Sequence, residues 1–78
     1  SKYDTLGING GKKTKLRAGD ILGTFCKEIG IDNKLIGKIT ITETKSYVAL
    51  HHTVVEKVFR ALKKTTIKKK KYVAWILD

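Results

Sequence analysis

Cysteines and long runs of apolar residues are scarce in this sequence. Cys26 is the single cysteine among 78 residues, so the chain cannot form an internal disulfide, and we expect it in the cytoplasm. No segment approaches the ~18 apolar residues that a membrane-spanning helix needs, and no signal-peptide pattern opens the chain. A chain this short buries only a modest fraction of its surface, which disfavours a large cofactor cavity. We therefore expect one small domain with no cofactor of its own and no membrane partner.

Side chains that could hold a metal ion or carry out catalysis are also missing. Cys26, His51 and His52 come nearest to a ligand set, but neighbouring residues of a strand point to opposite faces and Cys26 falls on the apolar face of a helix. No carboxylate pair and no Ser-His-Asp set stands out. A stretch beginning at Gly7 resembles a P-loop, but Lys12 stands where that motif requires its second glycine. We expect no metal, no ATP binding and no catalysis by this chain alone.

Acidic side chains are few, with 7 Asp and Glu against 17 Lys and Arg, which gives a formal net charge of +10. Such an excess favours a polyanionic partner, and nucleic acid is the leading candidate. An acidic membrane surface would require a basic helix whose apolar face serves no core. Both helical patterns of this chain are needed for the core, so nucleic acid is the better interpretation.

The densest group of positive charges follows a strand-like run and leads into an amphipathic helix. Its residues are Gly10, Gly11, Lys12, Lys13, Lys15 and Arg17. Two glycines allow the backbone to turn and allow a ligand to approach closely, so we predict exposed N–H groups beside the positive end of the helix. The segment therefore predicts a phosphate-binding site. A solvated turn with incidental charge is the alternative.

Alternating and helical spacings of apolar residues predict four strands and two helices. Strands are expected at residues 3–9, 39–42, 47–51 and 72–77, with helices over 17–29 and from a capping box at 53–56 to residue 62. Gly30 ends the first helix, and Asp32 caps a single helical turn that Gly37 ends. The middle strands form a hairpin, and Ile67 makes a short edge contact before a charged bend at residues 68–71.

The order β-α-β-β-α-β is typical of an α+β ferredoxin-like sandwich. Each helix has one apolar stripe, so both are expected on one face of a four-stranded antiparallel sheet. The opposite face of the sheet stays open. This is the plan of the RNA recognition motif, and we predict a single domain of that type over residues 1–78.

Four stretches form a pattern that is more specific than any single motif and covers nearly the whole chain. They are Leu6-x-Ile8-Asn9-Gly10-Gly11-Lys12-Lys13-x-Lys15-x-Arg17-Ala18-Gly19-Asp20, Ile36-Gly37-Lys38-Ile39-x-Ile41, Ser46-Tyr47-Val48-Ala49 and Ile67-Lys68. This pattern resembles the C-terminal RNA-binding domain of DbpA-type DEAD-box RNA helicases.

The resemblance implies a fragment of a longer ATP-dependent RNA helicase, an accessory domain that tethers the helicase core to structured RNA. In the best-known members the target is a hairpin of large-subunit ribosomal RNA during ribosome assembly. ATP and Mg²⁺ would act in the helicase core, which lies outside this sequence. We expect the domain to be a monomer.

One departure from the RNA recognition motif bears on mechanism. That motif stacks bases on aromatic residues at three positions of its two central strands. Here these positions hold Gly7, Lys45 and Tyr47. Tyr47 is therefore the predicted stacking residue, supported by Lys45, and Lys38 one strand over extends the basic surface. The resemblance also implies that this branch relies more on the loop before the first helix than on the sheet.

Two features stay open at this level. Alternation puts Trp75 on the open sheet face. The favoured interpretation is that it shields the sheet or packs on residues outside this sequence, and the alternative is that it offers a second stacking surface near Tyr47. The lysines at 68–71 either contact RNA or only keep the chain soluble and guard an edge strand. Two other functions are a protein-docking module that uses the open sheet face with Trp75, and, less favoured, a general binder of duplex DNA.

Overall fold

Four strands of the chain form one antiparallel sheet. The computed structural model describes residues 2–77, with β1 at Tyr3–Ile8, β2 at Ile36–Ile41, β3 at Ser46–His51 and β4 at Ala74–Leu77. Helix α1 spans Ala18–Gly23 and helix α2 spans Val55–Ala61. The sheet order is β2-β3-β1-β4. This arrangement confirms the predicted α+β ferredoxin-like fold.

The core lies between the helices and one face of the sheet. Strand alternation sends side chains from the two central strands to this face, and the helices add their apolar stripes. The core residues with at most 4% of their surface exposed are Leu6, Ile8, Leu16, Ile21, Phe25, Ile31, Val48, Leu50, Val55, Val58, Leu62 and Ile67. Each such side chain contributes about 1.5–3 kcal/mol through burial. Within residues 2–77 both helices pack on this core, and no helix covers the opposite face of the sheet.

The first helix has the predicted extent but changes its winding midway. Arg17 is its N-cap, and α1 continues directly into a π-helical segment at Thr24–Ile29. Gly30 then ends the helix with φ 87°, a left-handed conformation that suits glycine. None of the helices within residues 2–77 is long and apolar enough to cross a membrane.

The predicted capping box of the second helix is wrong. The Thr53 hydroxyl lies 2.7 Å from Nδ1 of His51 instead of capping the helix. Glu56 likewise faces Arg60, with 3.6 Å between Oε2 and Nε. Because both side chains have other partners, α2 begins at Val55 without a side-chain cap.

The edge strands also differ from their predicted bounds. β2 begins at Ile36, three residues before its predicted start. Its register with β3 shifts between Ile36 and Ile39, which is an irregularity of the β-bulge type. β4 begins at Ala74, two residues later than predicted, although the Asn9 amide still donates to the Val73 carbonyl at 2.8 Å. The predicted cap of the helical turn before β2 is confirmed, since the carboxylate of Asp32 accepts a 2.9 Å hydrogen bond from the Lys34 amide.

Candidate nucleic-acid interface

Residues 10–17, which we term the basic loop, connect β1 to α1. A 3-10 turn at Lys12–Thr14 forms its centre, and Lys15 ends the turn in the left-handed conformation, with φ 62°. The four cationic side chains of the loop, those of Lys12, Lys13, Lys15 and Arg17, are all exposed. The structure therefore brings these predicted phosphate-binding cations together on one short segment.

The prediction that the loop leaves its backbone N–H groups open is wrong. The amide of Lys12 donates to the carbonyl of Thr42, and the amide of Lys13 donates to that of Glu43, both at 2.9 Å. Other donors within the loop, the amides of Gly11, Thr14, Lys15, Leu16 and Arg17, also have partners in the protein. One of these partners is the carboxylate of Asp20, 3.0 Å from the Arg17 amide, which occupies the start of α1 where a ligand anion was expected.

Gly10 and Gly11 have a structural role that the sequence did not indicate. Both are buried. A Cβ atom on Gly10 would collide with the ring of Tyr72, and one on Gly11 would collide with the carbonyl oxygen of Thr42. The glycines therefore permit close approach of other parts of the protein. The close approach of a ligand to them stays a prediction. The loop offers side-chain cations, not backbone amides, to a partner.

A second basic segment, distant in sequence, joins the loop. Residues 67–70, which we term the lysine turn, form a tight hairpin in which Lys68 and Lys69 have φ values of 53° and 69°. The ammonium of Lys68 donates to the carbonyl of Lys15 at 3.1 Å and lies 3.7 Å from the carboxylate of Asp20. Lys68 thus holds the end of the basic loop.

This contact predicts different effects for the two left-handed lysines. Lys68→Met removes the hydrogen bond to the loop, so we expect a loss of about 0.5–1 kcal/mol in unfolding free energy and faster amide exchange at residues 15–17. Lys69 also has a positive φ but makes no hydrogen bond or ion pair with the loop within residues 2–77, so Lys69→Met serves as the matched control. Equal exchange rates in both variants would contradict the anchoring role of Lys68.

The open sheet face carries the remaining predicted residues. Lys45 donates from its ammonium to Oδ1 of Asn9 at 3.0 Å. Tyr47 is half-buried beside Trp75, with 6.5 Å between ring centroids. Lys38 is exposed in the irregular part of β2, two residues before Thr40, which pairs with Tyr47. The predicted placement of Trp75 near Tyr47 is confirmed.

The sequence did not indicate that Asn9, Asp20 and Lys68 hold parts of this surface in place. Each acts by holding another residue in place, and such contacts have no local sequence signal except the position of Asp20 three residues after the N-cap. Among residues 2–77 no three His, Cys, Asp or Glu side chains come together as a metal site would require. The candidate interface therefore consists of cationic side chains, the hydrogen-bonded residues that hold them in place, and the aromatic rings of Tyr47 and Trp75.

One family model and two curated relatives match this chain. The family model described as the DbpA RNA binding domain matches residues 5–75. The chain belongs to the DbpA RNA-binding domain family. Two relatives, both described as ATP-dependent RNA helicase DbpA, come from Escherichia coli (strain K12) and Bacillus subtilis (strain 168). The first is 44% identical over 66 residues and the second 43% identical over 65 residues.

The DbpA match covers most of this chain but little of its relatives. It includes 85% of the chain for the first relative and 83% for the second, and it spans 14% of the length of each. The chain therefore spans only a small part of the length of the two relatives that it matches.

Proposed function

We propose that this chain is an accessory RNA-binding domain of an ATP-dependent DEAD-box RNA helicase in the cytoplasm. The proposed target is a structured RNA, a hairpin of large-subunit ribosomal RNA during ribosome assembly. The observation that carries this proposal is the set of four exposed cations on the basic loop of a domain that belongs to the DbpA family. In this proposal ATP and Mg²⁺ belong to the helicase core of the same polypeptide, and the domain acts as a monomer.

The basic loop would bind RNA through its side chains. The ammonium groups of Lys12, Lys13 and Lys15 act as single-point cations for phosphate oxygens. The guanidinium of Arg17 can donate two parallel hydrogen bonds to one phosphate. Because phosphate contacts carry no direct sequence information, the loop selects for the spacing of phosphates in a folded RNA.

A salt titration tests this function directly. We expect the chain to bind a ribosomal RNA hairpin with a log–log slope of affinity against salt of about −4, as expected for five or so neutralised phosphates. Chemical-shift mapping in the same titration is expected to move the signals of residues 10–17. A slope near zero, or shifts that avoid these residues, would contradict the proposal. A DNA hairpin of matched shape that binds equally well would instead favour a general duplex binder.

A second candidate function is supported by apolar side chains that the sheet leaves exposed. Val73 is 70% exposed and Leu77 is 38% exposed. Apolar surface beside a polar rim is typical of a protein-docking face. Parallel titrations with the RNA hairpin and with an acidic protein distinguish the two functions, since a docking module would bind only the protein.

A further inference from the structure

The open sheet face carries two aromatic rings that the phosphate contacts of the basic loop leave unused. Trp75 in β4 pairs with Gly7 in β1, and Gly7 pairs in turn with Tyr47 in β3. We propose that Trp75 and Tyr47 form a stacking site for one unpaired base of the bound RNA. This inference rests on the proposed RNA-binding function and adds to it a subsite and a residue, Trp75.

The absence of a side chain at Gly7 creates the site. A Cβ atom at this position would collide with the indole of Trp75, so the indole occupies the space above the Gly7 backbone. The ring therefore reaches the centre of the sheet from the neighbouring strand. Trp75 supplies an aromatic surface at a point where β1 itself has none.

The relative orientation of the rings indicates how many bases fit. The planes of Tyr47 and Trp75 meet at 85°, and both side chains are half-buried, which leaves part of each ring open. A planar base that is parallel to one ring is perpendicular to the other, and both arrangements are favourable aromatic contacts. The pair therefore forms a corner that takes a single base.

A fixed cation lies beside this corner. Lys45 is held by Asn9, with 3.0 Å between Nζ and Oδ1. Asn9 lies two residues beyond Gly7 in the chain, a distance of about 7 Å along an extended strand. The ammonium is thus placed to meet the phosphate of a nucleotide whose base occupies the corner. Aromatic rings next to fixed positive charge are typical of sites for unpaired nucleic acid, and they favour RNA over an apolar protein partner.

The position of the corner also connects it to the proposed phosphate site. Asn9 is followed directly by Gly10, the first residue of the basic loop. An RNA whose paired segment lies on the loop can therefore extend its next unpaired nucleotide over the sheet. The two sites would bind one RNA molecule, the loop through its phosphates and the corner through an unpaired base.

Two RNAs that differ only in their bases test this inference. Both contain the same ribosomal hairpin, and each has an extension of five nucleotides, either adenosines or abasic residues with the same phosphates. Because Trp75 is the only tryptophan of the chain, its fluorescence reports directly on this site. We expect the adenosine extension to quench this fluorescence and to tighten binding roughly 5- to 150-fold over the abasic extension.

Substitutions distinguish the contribution of the Trp75 ring to binding from that of the basic-loop cations. Trp75→Leu is expected to lose the gain from adenosines while it binds the abasic RNA with unchanged affinity and salt slope. Trp75→Phe retains a ring and is expected to keep most of the gain. Tyr3→Leu removes an aromatic side chain at the other end of β1 and is expected to keep all of it. The comparison of the two RNAs with the unaltered chain does not depend on the folding of any variant.

Three outcomes would overturn the inference. If both RNAs bind equally well and change the fluorescence equally, the stacking site does not exist, while the proposed function stands. If an acidic polypeptide changes the fluorescence and the adenosine extension does not, the face serves a protein partner. If neither RNA binds, the proposed function fails and the stacking site fails with it.

Discussion

Replacing the four cations of the basic loop by glutamine is expected to weaken binding of the ribosomal hairpin about a thousandfold at 0.1 M salt. The variant combines Lys12→Gln, Lys13→Gln, Lys15→Gln and Arg17→Gln. Each neutralised phosphate releases a counterion, so the loss of four contacts removes most of the electrostatic free energy of binding. The salt slope is expected to fall from about −4 to about −1 in the same titration.

A charge-matched variant controls for the overall field of the protein. It replaces four exposed lysines outside the basic loop, Lys27, Lys34, Lys57 and Lys64, and leaves the same net charge. Because these lysines lie outside the basic loop, and salt screens exposed charges that make no direct contact with the RNA, we expect less than about tenfold weakening from these changes. Equal weakening by both variants would show that binding follows net charge and not the basic loop.

Substituting alanine for Gly11 is expected to destabilise the fold by about 2–3 kcal/mol. The added Cβ would collide with the carbonyl oxygen of Thr42. It would also lie 2.9 Å from the carbonyl carbon and oxygen of Glu43. Relief of this collision requires the β2–β3 turn to move away and breaks the hydrogen bonds from the amides of Lys12 and Lys13. Urea unfolding followed by circular dichroism measures the loss.

Gly19 offers the matched control for Gly11. A Cβ atom at Gly19 would meet no heavy atom within 4 Å, and the residue lies inside α1. Gly19→Ala is therefore expected to stabilise the domain by about 0.5–1 kcal/mol. A Gly11→Ala variant that unfolds at the same urea concentration as the unaltered chain would contradict the close packing of the loop.

Elements of the fold with local signals were predictable from the sequence. Alternation at Leu6 and Ile8 placed β1, Gly30 marked the end of the first helix, and Asp32 indicated the cap that the structure contains. The capping box at Thr53 failed because His51, two residues earlier, provides another partner for the hydroxyl. The π-helical winding at Thr24–Ile29 has no signal in the spacing of apolar residues, since Phe25 suits either winding.

The charges of the candidate site were predictable from the sequence, but the hydrogen-bond partners of its backbone were not. Runs of lysine are visible in a sequence, and the exposure of Lys12 and Lys13 follows from their charge. The partners of their amides, Thr42 and Glu43, lie some thirty residues away, and only the folded sheet brings them near. The contact between Lys68 and Lys15 and the position of the Trp75 indole above Gly7 depend on the fold in the same way.

The internal hydrogen bonds of the basic loop have a kinetic consequence. Because the amides of Lys12 and Lys13 are bonded to the β2–β3 turn, the loop loses its conformational entropy during folding and not when RNA arrives. Association then needs no rearrangement of the protein, and its rate is set by diffusion and long-range attraction. Different RNAs would reach the domain at similar rates, and the lifetime of each complex would determine which RNA is retained.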